Sequence, residues 1–302
     1  AGGRGFFILD VTDPTQFTAT SATTVHTDLT RAADDDIGHI YGAPVVDEAD
    51  PNRSRQIVRL NDGRWAAVMG NRYFSPAGRP VLLIQYLDAQ NRDPVTGAHE
   101  LHKLSPCQER QPCLFQGDNG LAAPRLLDVD GNGTVDIAYA GDLHGNLWKF
   151  DLTGRNDAAT PASVWRVAFQ NQPLFVARSA DKRPQAFTTA PYVVAHPRGG
   201  FMLVVGTGRH LQATDTADIA AQTIYGLYDD SSMAVTDGQV RLRDTVPVNS
   251  AGAEAARPAS LVAQRYSGTR TDGIRMYHEA SHEALRYEGP EPHRGWYLDL
   301  PL

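Results

Sequence analysis

The stretch Asp128-Val129-Asp130-Gly131-Asn132-Gly133-Thr134-Val135-Asp136 has the residue types and the spacing to hold a hard cation. Counted from Asp128, side-chain oxygens stand at the first, third, fifth and ninth positions, a glycine at the sixth, and the backbone carbonyl of Thr134 at the seventh. Calcium collects about six to eight oxygens, and the glycine permits the sharp turn that brings them together. Carboxylates held this close also repel one another, which a dication relieves. The expected ligands are therefore Asp128, Asp130, Asn132, Thr134 through its backbone carbonyl, and Asp136, with Ca2+ as the cofactor. An EF-hand would need a glutamate at the twelfth position, which is Tyr139 inside an apolar run. The competing reading is a metal-free hairpin turn, for which Asp, Asn and Gly are common residues.

Other chemistry-bearing patterns are weaker. His278-Glu279-Ala280-Ser281-His282 fits the H-E-x-x-H zinc pattern, which works only on a packed helix with a third ligand. Its surroundings are polar and weakly periodic, and Gly289-Pro290 and Pro292 separate it from His293, so it reads as a surface coincidence. Asp34-Asp35-Asp36 reads as a solvated loop, because consecutive side chains point different ways on any regular element. Cys107 and Cys113 would form a small local disulfide in an exported protein and stay two thiols in a cytosolic one. The sequence contains no Gly-x-Ser-x-Gly elbow, P-loop or dinucleotide fingerprint.

The elements that must position the acidic loop follow from composition and repeats. The 302 residues carry 28 Lys and Arg against 35 Asp and Glu, a net charge of −7, which argues against nucleic acid as a partner. The longest apolar runs, such as Phe201–Val205 and Val81–Ile84, are far below the roughly 18 residues that span a bilayer, so no membrane-spanning segment is expected. With 27 glycines and 19 prolines, the chain should be rich in turns and short strands. A repeat supports this. Ala43-Pro44, Ala123-Pro124 and Ala190-Pro191 each open an apolar run; a second run closes on Gly70, Gly141 or Gly206; a third ends at Asp88, Asp151 or Asp229. Outlying copies of the third run end at Asp10 and Asp299.

The Ala-Pro pairs lie 80 and 67 residues apart, so each unit has room for at least three short antiparallel strands. Such sheets repeated along a chain predict an all-β fold, a partial or modified β-propeller of antiparallel blades with helical insertions in its loops. A β-sandwich is the alternative. At roughly 70 residues per unit the chain holds about four blades. The expected divisions are a partial blade at 1–36, then 37–93, 119–155, 186–232 and 233–302, in a single propeller segment that is a piece of a longer protein. Helices are expected at Thr214–Gln222, Ala251–Arg265 and Tyr277–Arg286. Trp65, Trp148, Trp165 and Trp296 fall near strand positions and are expected to pack between blades.

The run from Ala122-Ala123-Pro124 through the acidic loop to Gly141-Asp142-Leu143-His144-Gly145-Asn146-Leu147-Trp148-Lys149-Phe150-Asp151-Leu152 resembles the C-terminal propeller of the PilC/PilY family, the tip-located adhesin and biogenesis factors of type IV pili. Arg59–Val68, Gly206–Leu211 and Arg294–Pro301 carry the same likeness, which weakens at the Cys107–Cys113 insertion and from about Thr236 to His293. The resemblance implies a non-enzymatic propeller, exported to the cell surface and pilus tip or the outer membrane. Its calcium loop would govern pilus extension against retraction, and so twitching motility and adhesion. The implied partners are the pilus machinery or minor pilins, with host-surface receptors beside them. Export favours the Cys107–Cys113 disulfide. Some family members carry an Arg-Gly-Asp triplet; this chain has none, so integrin binding is not implied. Two alternatives stand beside this reading: an adhesin propeller with a purely structural calcium ion, and a quinone-dependent dehydrogenase propeller. The second lacks support, because the vicinal cysteine pair of several such enzymes is absent.

Overall fold

Short apolar runs closed by Gly, Pro and Asp fold as strands in the computed structural model, which describes residues 3–17, 24–30, 34–40, 45–46, 55–88, 99–107, 113, 115–154, 164–236, 239–243, 247–249 and 257–300. Strands β1 (Phe7–Leu9) and β2 (Val25–Asp28) form a two-stranded sheet. Next, β3 (Ile57–Arg59), β4 (Trp65–Gly70), β5 (Leu82–Tyr86) and β6 (Leu101–Leu104) form a four-stranded antiparallel meander in chain order. A five-stranded sheet follows from β7 (Arg125–Leu127), β8 (Ile137–Gly141), β9 (Asn146–Asp151), β10 (Arg166–Val167) and β11 (Phe175–Val176), in order β10-β9-β8-β7 with β11 also paired to β9.

The last third of the chain contributes β12 (Tyr192–Ala195), β13 (Phe201–Gly206), β14 (Thr223–Asp229), a hairpin β15 (Ser232–Thr236) and β16 (Gln239–Arg243), β17 (Leu261–Gln264), a second hairpin β18 (Tyr266–Asp272) and β19 (Arg275–Ala280), and β20 (Gly295–Asp299). Here the main sheet runs β12-β13-β14-β20-β17, with β17 parallel to β20 and the other pairs antiparallel. It therefore draws strands from both 186–232 and 233–302, the stretches assigned above to separate blades.

The Ala-Pro pairs at 123–124 and 190–191 lie just before β7 and β12, where a strand start tolerates proline. Ala43-Pro44 lies outside the described residues. The runs ending in aspartate become β9, β14 and β20, and β5 ends two residues before Asp88. Strands β5, β8 and β9 are buried at every position, including the polar Gln85, Asn146, Lys149 and Asp151. The chain divides into two compact units, Ala1–Ala140 with Lys149–Val167, and Gly141–Trp148 with Ala168–Leu302. In the first, Phe6, Ile37, Val81 and Leu83 form a buried cluster flanked by Ile8, Leu29, Ile40, Met69 and Leu101. In the second, Phe175 and Tyr225 pack ring to ring at 4.9 Å, and both are buried.

Three helical expectations need correction. Residues 277–286 are not helical: 277–280 belong to β19, because Gly273 (φ 58°) turns the chain tightly and Thr271, Arg270 and Thr269 pair with Met276, Tyr277 and His278. Of 251–265, residues 251–256 lie outside the described residues, and Leu261–Gln264 is a strand paired to β20. Within 214–222 only a 3-10 turn forms, at Ala213–Ala217: Asp215 caps its start by accepting from the N–H groups of Leu211 and Gln212, and extended backbone at Asp218 ends it. Among the described residues no helix is long and apolar enough to cross a membrane.

Candidate metal centre

The acidic loop spans Asp128 to Asp136 and joins β7 to β8 as an enlarged hairpin connection within the first unit. Its carboxylates organise it locally. Asp128 accepts from the N–H groups of Gly131 (2.8 Å), Asn132 (3.2 Å) and Gly133 (2.8 Å). Asp130 accepts from the N–H of Asn132 at 3.1 Å and from its carboxamide at 2.9 Å. Asn132 in turn accepts from the Thr134 N–H at 2.8 Å and from the Thr134 hydroxyl. Gly131 (φ 76°) and Gly133 (φ 87°) take left-handed backbone, which lets the chain wrap around these oxygens.

Asp128, Asp130 and Asp136 each present a carboxylate oxygen, and all three oxygens lie within 4.8 Å of one another. Asp128 and Asp130 are exposed, whereas Asp136 is buried. Burial pushes the Asp136 carboxyl above its ordinary value, and the negative charges of Asp130 and Asp128 push it the same way, against hydrogen bonds from the Val129 N–H (2.8 Å) and Asn61 (3.1 Å). A buried carboxylate raised by like charges is an unmet demand for positive charge, so this donor set fits a hard divalent cation. Asp128, Asp130, Asn132 and Asp136 could hold one with their side chains, and Thr134 with its carbonyl.

One residue of the site has no signal in the sequence. Asn61 sits in an Asn-Asp-Gly stretch between β3 and β4 that reads only as a turn. Its carboxamide nitrogen donates to the Val135 carbonyl (2.9 Å), to Asp136 Oδ1 (3.1 Å) and to the Leu152 carbonyl (3.0 Å), while its oxygen accepts from the Thr134 hydroxyl at 2.9 Å. The end of the loop is thus tied to the neighbouring sheet, an attachment reinforced by the Val135 N–H donating to the Arg59 carbonyl at 2.9 Å.

The remaining sequence candidates separate clearly. Cys107 and Cys113 are joined in a disulfide with Cα atoms 5.4 Å apart. His278 and Glu279 are neighbours on strand β19, so they face opposite sides of the ribbon, and His282 lies beyond its end; the one-turn spacing that zinc needs does not form. The aspartates at 34 to 36 correct the solvated-loop reading. Asp36 is 4% exposed and pairs with Arg79 through both oxygens (2.6 and 2.9 Å), and Lys103 bridges Asp34 (2.7 Å) and Asp36 (3.0 Å). Trp148 and Trp165 are buried as expected, but Trp65 is 54% exposed.

Repeated, mainly antiparallel sheets with one hairpin enlarged into an acidic loop define a β-propeller type of protein, all-β with only short helical turns among the described residues. The PilY1 beta-propeller domain matches residues 1–246, and the chain belongs to that family. The Type IV pilus biogenesis factor PilY1 of Pseudomonas aeruginosa (strain PAO1) is 33% identical over 314 residues, covering 99% of this chain and 24% of that protein. A Type IV pilus biogenesis factor PilY1 homolog of Xylella fastidiosa is 34% identical over 244 residues, covering 78% of this chain and 15% of its own length. The crystal structure of the P. aeruginosa PilY1 C-terminal domain superposes with a TM-score of 0.71 at 32% identity, over 100% of this chain and 58% of that one. The chain thus spans about a quarter or less of the curated relatives it matches.

Proposed function

We propose that residues 128–136 bind calcium and that this domain acts, without enzymatic activity, in type IV pilus biogenesis. In this reading the ordered loop biases pilus extension against retraction and so supports twitching motility and surface adhesion. The observation that carries it is the convergence of Asp128, Asp130 and Asp136 within 4.8 Å, one of them buried and raised by its neighbours. Bound calcium would supply the charge that lets all three carboxylates stay ionised. The names of the relatives, Type IV pilus biogenesis factors, support the pilus role. They also support a cell-surface location at the pilus; in this reading the domain is exported to the pilus tip, in association with the outer membrane. The Cys107–Cys113 disulfide agrees with an oxidising compartment. The partners would be the pilus machinery or minor pilins, and host-surface receptors where adhesion is at stake.

A second reading has its own observation. Asn61 ties the loop to the neighbouring sheet, so the ion could serve mainly to hold that junction together. The two readings part in one experiment. Calcium titration by calorimetry on wild type and Asp136→Ala, with piliation and twitching scored for the same substitution in the full-length protein, should show loss of binding together with altered pilus number. Full calcium affinity in the variant sinks the site. Lost binding and lower thermal stability with normal piliation and motility leaves the ion structural.

A further inference from the structure

Beyond the stretch that the family domain matches, β18 and β19 form a ribbon in which every residue from Ser267 to Glu279 is exposed. Large apolar groups stand among them: Ile274 is 103% exposed, Met276 66% and Tyr277 41%. Among the described residues, no other strand pairs with either edge of the ribbon, and no backbone group from Ser267 to Ala280 bonds outside it. A two-stranded ribbon by itself is at best marginally stable in water, and its unpaired N–H and C=O groups are a template for a further strand.

The turn fixes which groups point outward. Gly273 and Ile274 make a two-residue loop with Gly273 left-handed (φ 58°) at its first position, as a type II′ turn requires. Such a loop is closed by a hydrogen-bonded pair, here Asp272 with Arg275, and bonded and non-bonded pairs alternate from there. The backbone groups of Arg275, Tyr277 and Glu279 therefore face β18, and those of Met276 and His278 face away. For an antiparallel β19 from a second copy, the two-fold registers that join these outward groups are centred on Met276, Tyr277 or His278. Only the Tyr277 register sets Arg275 of each copy opposite Glu279 of the other. There the two Tyr277 rings meet at the axis, Met276 faces His278, and exposed Ile274 faces Ala280. The Met276 centre sets Arg275 against Tyr277, and the His278 centre sets Glu279 against Tyr277 and one imidazole against the other. Among the described residues neither Arg275 nor Glu279 makes an ion pair, and Asp272 lies across from Arg275, so charges of alternating sign would run through the joined sheet.

The β18 edge is the poorer one. Centred on Thr269, a second β18 runs into the irregularity between Tyr266 and Gly268; on Arg270, it sets guanidinium against guanidinium; on Thr271, it overlaps only Arg270–Asp272. We infer that this chain self-associates as a two-fold dimer through β19, which joins the ribbons of two copies into one antiparallel sheet. A strand edge this short buries less than the roughly 1,200–2,000 Å² of a stable interface, so Kd should lie between about 10 µM and 1 mM. The ribbon belongs to the second unit and the acidic loop to the first, so the dimer does not rest on the calcium reading.

Sedimentation equilibrium of the 302-residue chain from about 10 µM to 1 mM should show reversible monomer and dimer. His278→Pro removes an outward N–H at an edge, where proline is tolerated, and Glu279→Arg sets arginine against arginine. Each should raise Kd at least about tenfold. Reversing the whole row of charges, Asp272→Arg with Arg275→Glu and Glu279→Arg, should restore the dimer, with circular dichroism checking that each variant is folded. A second measurement needs no change of charge. Tyr277→Cys would place two thiols across the axis with Cα atoms about 4.5 Å apart, close enough for a disulfide. Mild oxidation should cross-link it at least about tenfold faster than Thr269→Cys on the far strand. A chain that stays monomeric at about 1 mM, a dimer that tolerates either His278→Pro or Glu279→Arg, a folded charge-reversed chain that stays monomeric, or cross-linking no faster at 277 than at 269 would each overturn the proposal.

Discussion

The Asn61 carboxamide donates to Asp136 Oδ1 at 3.1 Å although the two residues are 75 positions apart. The same nitrogen reaches the carbonyls of Val135 and Leu152, so one side chain in the β3–β4 turn fastens the end of the acidic loop and the residue that follows β9. Asn61→Ala removes the donor and leaves these acceptors short of a partner in a partly buried setting. That should cost about 1–3 kcal/mol in unfolding free energy. It should also weaken calcium binding, because Asp136 loses a group that favours its charged form. Urea unfolding with and without calcium measures both effects, and a variant as stable and as calcium-responsive as wild type would show Asn61 to be a mere turn residue.

Removing the ion should soften the loop without unfolding the chain. An ion that binds only the native state adds stability with the logarithm of its excess over the dissociation constant, about 2.7 kcal/mol at a hundredfold excess. The expected result is a thermal midpoint that rises steadily with calcium and falls with EGTA, with a weaker response to magnesium, which gives up its water reluctantly. Asp136→Ala should abolish the dependence. A midpoint indifferent to calcium in the wild-type chain would rule out native-state binding at this loop.

The legible and illegible parts of the molecule differ in the range of the contacts involved. The acidic loop could be read because its oxygens belong to nine consecutive residues, β5, β8 and β13 because they are apolar runs, and β9 and β14 because they close on aspartate. Asn61 could not be singled out, since an Asn-Asp-Gly turn looks the same whether or not its side chain crosses to another sheet. Asp36 was hidden for a related reason: three aspartates in a row look solvated, yet Asp34 and Asp36 are both reached by Lys103, 69 and 67 positions away. The segment from Tyr277 has a composition that suits a helix as well as a strand, and the glycine turn at Gly273 with its cross-strand partners decides between them. Trp65 shows the limit of residue type, since an aromatic at a strand position can face a cavity as easily as a core.

The Asp36 cluster gives the first unit an acid limb of instability. Burial alone would raise the Asp36 carboxyl, but hydrogen bonds and charge from Arg79 and Lys103 outweigh it and hold the group below its ordinary value of 3.8. A carboxyl depressed on folding stabilises the native state fully above its unfolded value, and that contribution disappears as pH falls through the lower native one. Lys103 shifts the other way, raised above 10.5 by Asp34 and Asp36 against burial, so its contribution is complete below that value and is lost only in strong alkali. Asp36→Asn removes the carboxylate that the buried Arg79 grips through two nitrogens and should cost about 3–5 kcal/mol at neutral pH. It should also flatten the loss of stability between about pH 5 and pH 3. Urea midpoints across that range compare the two proteins, and parallel acid limbs would assign the acid sensitivity to other carboxyls.

In the second unit, the place of β20 beside β14 depends on a missing side chain. A Cβ built on Gly226 would stand 2.2 Å from the Trp296 indole, its cross-strand partner, so the ring fills the space that any other residue would occupy. Gly226→Ala must displace the indole and, with it, the strand that also carries the parallel pairing to β17. The expected cost is about 1–3 kcal/mol, the usual range for overpacking. Gly206→Ala is the matched control, because a Cβ there meets nothing within 4 Å, and its effect should stay within about 0.5 kcal/mol. The Trp296 emission should shift in the first variant and not in the second. Calcium titration should be unchanged in both, since the acidic loop belongs to the other unit. Equal stability losses in the two variants would mean that the glycine at 226 matters through backbone freedom alone and that the indole packing contributes little.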